Sequence, residues 1–96
     1  MSRIRAEIVF HGHVQGVGFR WTAVRVAEGL DIDGWVRNEP DGTVRLLAEG
    51  LQEDVDHLVQ GIDEALPGHV KDREYTISAA SGEFSGFRIF RAESHR

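Results

Sequence analysis

Residues 11–20 read HGHVQGVGFR. Three glycines, at 12, 16 and 18, fall within seven residues, and the run closes on Arg20. Glycine loses more conformational freedom on ordering than any other residue, so such a cluster needs a compensating use. One use is the approach of main-chain N–H groups to an oxyanion. At a helix start the first amides lack acceptors and the helix dipole is positive, and a glycine-rich turn adds further amides to the nest. Arg20 would contribute a permanent charge and a planar fork that fits two phosphate or carboxylate oxygens. Glycine spacing alone leaves a second reading open, in which the glycines make a tight strand-to-helix turn and Arg20 is a surface arginine. The G-x3-G-x-G spacing lacks the Gly-Lys-Ser/Thr of a Walker loop and is not the dinucleotide fingerprint.

Charge sharpens the first reading. The 96-residue chain carries a net charge of −5, which argues against a general nucleic-acid binder. Yet residues 1–25 hold Arg3, Arg5, Arg20 and Arg25 against Glu7 alone, while the remaining 71 carry a surplus of eight acidic groups. A locally basic segment around a glycine loop suits a small anion. The length fits one domain spanning residues 1–96. No apolar run approaches the ~20 residues of a membrane span, and the N-terminus MSRIRAEIVF has no signal-peptide core. Absence of cysteine excludes a disulfide scaffold, a thiolate metal site and a cysteine nucleophile, and suits a cytoplasmic location.

Several elements must position the loop. IRAEIVF alternates, with Ile4, Ala6, Ile8 and Phe10 on one face of a strand. From about Arg20 to Leu30 the residues Ala23, Val26, Ala27 and Leu30 recur at helical spacing, Val24 widening the stripe. DGWVRN and TVRLLAE form a hairpin about the Pro-Asp-Gly turn, with Val44, Leu46 and Ala48 facing the core and Arg45, Leu47 and Glu49 facing out. Val55, Leu58, Val59, Ile62 and Leu66 mark a second amphipathic helix, stopped by Pro67-Gly68. HVKDREYTI and FSGFRIF read as strands. The order βαββαβ, with a short final strand, predicts a ferredoxin-like α+β sandwich: an antiparallel sheet with both helices on one face. Many functions use that fold.

The full string GHVQGVGFR resembles the first signature of the acylphosphatase family, G-x-V-Q-G-V-x-[FY]-R, and GWVRN at residues 34–38 resembles its second, G-[FYW]-[AVC]-[KRQ]-N. The two are co-linear at the family's separation, and the likeness spans nearly the whole chain. The resemblance implies hydrolysis of the carboxyl–phosphate bond of acylphosphates, with no cofactor and no metal. It implies that Arg20 binds the phosphate, that Asn38 orients the attacking water, and that the loop amides of Val14, Gln15, Gly16, Val17, Gly18 and Phe19 cradle the phosphoryl oxygens. The chemistry is self-consistent. A carboxylate leaves without protonation, its pKa being near ~4, and a loose phosphoryl transition state needs chiefly positioning and charge stabilisation. The chain departs from the family pattern at Asp31, at Pro67-Gly68 and over HVKDREYTISAASGE.

The remaining candidates carry blander readings. His11 and His13 adjoin the loop but lack a third ligand at any indicated spacing, with His57 and His69 expected elsewhere. His13 falls where family members often carry arginine, which would give a pH-dependent positive charge there. Trp21 and Trp35 read as core or rim aromatics, and the Gln15 side chain as a brace for the loop. No feature reads the acyl group, so broad acyl tolerance is expected. Two other functions compete. Acylphosphatase-like domains also occur as modules of larger proteins, such as the carbamoyltransferase that matures hydrogenases, so a non-catalytic acylphosphate or carbamoyl-phosphate binding module is one. Retention of both Arg20 and Asn38 argues against it, and the short segment after the last strand suggests a free-standing monomer. An RNA binder of the same βαββαβ order is the other. It would need exposed aromatics on the central strands, which Arg45, Leu47 and Glu49 do not supply.

Overall fold

The computed structural model describes residues 2–91. In chain order it contains β1 (Ile4–Gly12), α1 (Phe19–Ala27), β2 (Asp33–Asn38), β3 (Val44–Gly50), α2 (Gln52–Ala65), β4 (Val70–Ala79) and β5 (Phe87–Ile89). The five strands form one sheet in the order β4-β1-β3-β2-β5, and both helices pack on one face. Ala6, Ile8 and Phe10 of β1, Val36 of β2, and Val44, Leu46 and Ala48 of β3 point into that layer, meeting Phe19, Ala23 and Ala27 of α1 and Val55, Leu58 and Ile62 of α2. The ferredoxin-like α+β architecture is therefore as the alternation of Ile8, Phe10, Leu46 and Ala48 predicts.

Two details differ from expectation. The sheet is mixed, because β5 pairs parallel to β2 through Gly34–Phe87, Trp35–Arg88 and Val36–Ile89. The chain leaves β4 at one edge, crosses at residues 80–86 and enters the other edge running with β2, a route that alternation cannot reveal. Helix α1 starts one residue earlier and ends three earlier than its apolar stripe suggests. Gly29 N–H donates to Val26 O and Leu30 N–H to Ala27 O, so the last turn tightens and Leu30 packs beyond the helix proper. One departure from the family pattern has a local contact: Asp31 accepts from Arg3 at 3.4 Å.

Strand directions set where chemistry can occur. Strand β3 runs antiparallel to both β1 and β2, so β1 and β2 share a direction, and β5 shares it too. The carboxyl ends of all three emerge at one end of the sheet. Gly34 makes the tight β2–β3 pairing possible. Its φ is +143°, and a Cβ there would overlap the Leu47 carbonyl oxygen.

The outer sheet face is less open than expected. Leu47 and Glu49 are both buried there, Glu49 to 1% exposure. The crossing segment covers them: the Glu49 carboxylate accepts from Arg5 Nε at 2.8 Å, from Ser81 N–H and Oγ at 2.9 Å each, and from Gly82 N–H at 3.0 Å. Burial opposes ionisation of this carboxyl, but the Ser81 and Gly82 amides, Arg5 and the Ser81 hydroxyl outweigh it and hold its pKa at about 2. On the same face Arg45 donates to Glu7 at 2.6 Å. Alongside Val9, His11 and Leu47, the outer positions of β1 and β3 thus carry interlocked ion pairs and no Phe, Tyr or Trp.

Because the folded-state pKa of Glu49 lies below its unfolded value, ionised Glu49 stabilises the fold fully above about pH 5, and this contribution is lost as pH falls towards 2. Glu49→Gln is expected to cost roughly 2 kcal/mol or more at pH 7, the scale of hydrogen bonds to a charged group. Urea unfolding at pH 7 and pH 2.5 checks this: the difference between wild type and variant should shrink at the lower pH.

Candidate active site

The loop between β1 and α1 is built from residues 13–18, and its position follows from what its side chains bury. Val14 and Phe19 are buried, the Phe19 ring 4.9 Å from Phe10, and Val17 packs against the core. These three side chains anchor the loop from below, leaving only their main chain to face a ligand. Gly16 and Gly18 stand at φ +77° and +81°, left-handed conformations that side-chain-bearing residues rarely adopt. Gly18 serves as the N-cap of α1, and no side chain caps that helix. Loop N–H groups from Val14 to Phe19 have no acceptor among the described residues.

Gln15 ties this loop to the hairpin opposite. Its Nε2 donates to Glu39 O at 2.8 Å and to Thr43 O at 2.9 Å, across the mouth of the β2–β3 turn. The side chain is a brace, as the sequence suggests, and it fixes the loop relative to Asn38, the last residue of β2.

A cleft of about 320 Å³ opens between these elements, lined by Val14, Gly16, Gly18, Phe19, Arg20, Trp21, Asn38, Ile89 and Arg91. Six of the eight sequence candidates therefore meet around one space; Gln15 and Val17 stand behind it. Arg20 is half-buried and makes no ion pair or hydrogen bond with the described residues, and the Asn38 side-chain amide makes none either. The contrast with the other three arginines of the basic segment is informative. Arg3 pairs with Asp31 and Asp33, Arg5 with Glu49, and Arg25 with Glu28 while lying over the Trp21 ring at 4.8 Å. The segment's unpaired positive charge thus reduces to Arg20, which lines the cleft together with Gly16 and Gly18.

A second cleft of about 640 Å³ adjoins the first and shares Arg20, Asn38 and Arg91 with it; Arg37, Glu39, Pro40 and Phe90 complete its wall. Sequence reasoning missed these last four and Arg91. Arg37 lies inside the second motif, but its role depends on the β5 end coming beside β2, which only the parallel pairing brings about.

The histidines are arranged differently from expectation. His69 is not remote: its ring centroid lies 5.4 Å from that of His13, its Nδ1 contacts His13 O at 3.0 Å, and its carbonyl accepts from His13 N–H. His11 contacts Glu74 at 3.1 Å. Among the described residues no group of three or more His, Asp or Glu side chains could hold a metal ion. Trp21 is a rim aromatic at 61% exposure, and Trp35 stacks outside the sheet against Phe90 at 5.5 Å.

A half-buried arginine, a helix start with open amides and a carboxamide line one cleft, the donor set that a protein of the oxyanion-binding class would need. The comparisons with known proteins give that class a family. The family model Acylphosphatase matches residues 6–89. An acylphosphatase of Paenarthrobacter aurescens (strain TC1) is 46% identical over 88 residues, covering 91% of this chain and 92% of its own. Among solved structures, the acylphosphatase from Bacillus subtilis superposes with a TM-score of 0.84 at 32% identity, covering 92% of this chain and 99% of that one. One from Coxiella burnetii gives 0.79 at 29%, covering 93% and 94%. The chain belongs to the acylphosphatase family, hydrolases of acid anhydrides, and that membership implies hydrolysis of acylphosphates.

The Gln15 brace makes a ranked prediction. Gln15→Ala loses two hydrogen bonds and is expected to cost about 1–3 kcal/mol. Gln15→Glu sets a carboxylate against two carbonyl oxygens and should cost more. Urea denaturation at neutral pH gives the order wild type, Ala, Glu; equal stability of the two variants would contradict the brace.

Proposed function

We propose that the amides of residues 14–19 and the Arg20 guanidinium hold the phosphoryl group of an acylphosphate while Asn38 aligns the water that attacks it. The observation that carries this reading is Arg20: half-buried, lining both clefts, and without a partner among the described residues. A half-buried guanidinium with no protein anion beside it keeps its donors available to an anionic ligand. The open amides of Gly16 and Gly18 beside it supply donors of fixed direction.

The step balances without further groups. The Asn38 side-chain carbonyl accepts one hydrogen of the water, which turns an oxygen lone pair towards phosphorus. A bond forms from the water oxygen to phosphorus as the bond from phosphorus to the acyl oxygen breaks. The carboxylate leaves with that electron pair, and the water proton passes to a phosphoryl oxygen. Asparagine is no base at neutral pH, and a loose transition state does not require one. Stabilisation comes from donors whose orientation is fixed before the reaction, which is where enzymes gain most.

Hydrolysis of benzoyl phosphate with EDTA present tests the reading. Wild type should turn over, since a carboxylate leaving group needs no Lewis acid. Arg20→Ala should lose at least about 10²–10³-fold in kcat/KM, the typical loss for an oxyanion donor. Asn38→Ala should lower kcat while inhibition by inorganic phosphate persists. A folded wild type that binds phosphate without turnover would instead mean a non-catalytic binding module.

A further inference from the structure

The larger cleft has features that the phosphate does not use. Its wall carries three arginines, Arg20, Arg37 and Arg91, and one acid, Glu39. Glu39 is already neutralised: its Oε2 accepts from Arg37 Nε at 2.7 Å and from Arg45 Nε at 3.2 Å. With Arg20 assigned to the phosphoryl group, Arg37 still offers guanidinium donors to whatever the phosphate is attached to.

Arg37 is held so that those donors have a fixed direction. Its guanidinium lies 4.9 Å from the Trp35 ring centroid and 5.5 Å from that of Phe90, so two aromatic rings support it. Glu39 fixes the Nε side. The two terminal nitrogens donate to nothing among the described residues. A guanidinium held by its Nε and its face, with the distal edge unspent, has lost its rotamer freedom before a ligand arrives. That edge matches the two oxygens of a carboxylate. Because Arg37 precedes Asn38 on β2, with their side chains on opposite faces, the cleft reaches round the strand end from the phosphate site to Arg37.

Building on the acylphosphatase reading, we propose that Arg37 is the acyl-side specificity residue, and that the preferred substrates are acylphosphates whose acyl group bears a second carboxylate, the monophosphates of dicarboxylic acids. This replaces the broad acyl tolerance expected from the motifs. A neutral acyl group would fill the same cleft but leave the distal edge of Arg37 unpaired.

Succinyl phosphate and butyryl phosphate form a matched pair, each with a four-carbon acyl chain, differing in the terminal carboxylate. Initial rates with both, on the full chain at low ionic strength, give the ratio of their kcat/KM values. Wild type should favour succinyl phosphate by about tenfold, the order of one charge-assisted hydrogen-bonded pair, and added salt should erode the preference. In Arg37→Gln the ratio should fall towards one, with far-UV circular dichroism confirming the fold. Arg37→Lys keeps the charge without the fork and should restore part of the ratio. Equal hydrolysis of both substrates by wild type, or a ratio unmoved by Arg37→Gln, would overturn the specificity role alone. Hydrolysis of neither would overturn it together with the acylphosphatase reading beneath it.

Discussion

Strand β3 runs against both of its neighbours, and the site depends on that constraint. Since β1 and β2 each pair antiparallel with β3, their carboxyl ends must leave the sheet together. The loop after β1 and Asn38 at the end of β2 then face each other, although they are far apart in sequence. The Gln15 side chain closes the remaining gap by reaching the two carbonyls of the hairpin mouth. The parallel addition of β5 brings Ile89 and Phe90 to the same end, completing both clefts. The loop and Asn38 are therefore positioned by main-chain pairing and the Gln15 brace, which suits a reaction that needs orientation more than acid–base chemistry.

Charge is divided between the two ends of the sheet. At the end away from the site, Arg5 and the amides of residues 81–82 surround the buried Glu49 carboxylate and fasten the crossing segment. At the site end the imbalance has the opposite sense, with Arg20 and six loop amides lacking an acceptor among the described residues. A protein of net charge −5 can still present Arg20 without an acidic partner among the described residues, because nearby acids are held by other cations: Glu39 by Arg37 and Arg45, Glu7 by Arg45. The whole-chain charge says little about the field an incoming anion meets at short range.

Much of this was legible in the residues. Period-two alternation in IRAEIVF and TVRLLAE gave the inner face of the sheet, because the register of a half-buried strand is set by which residues it hides. The motifs ending at Arg20 and Asn38 picked out residues that line one cleft, because glycine at positive φ and an arginine at a helix start are local requirements. What escaped was non-local. The burial of Glu49 follows from a crossing segment whose sequence, AASGEFSG, has no periodicity. The parallel pairing of three-residue β5 has too short a pattern to read. The His13–His69 contact and the Arg37–Trp35–Phe90 stack both join segments distant in sequence, and spacing is silent on such pairs.

The central claim is that main-chain amides of the glycine loop are phosphate ligands. Titration of the 15N-labelled protein with inorganic phosphate, followed through amide chemical shifts, tests it most directly. The account predicts saturable shifts concentrated at Gly16, Gly18, Phe19 and Arg20, with Gly42 and Gly68, which share positive φ but lie outside the clefts, unmoved. Shifts centred instead on His69 and Lys71, or no saturable shift at the loop, would contradict it.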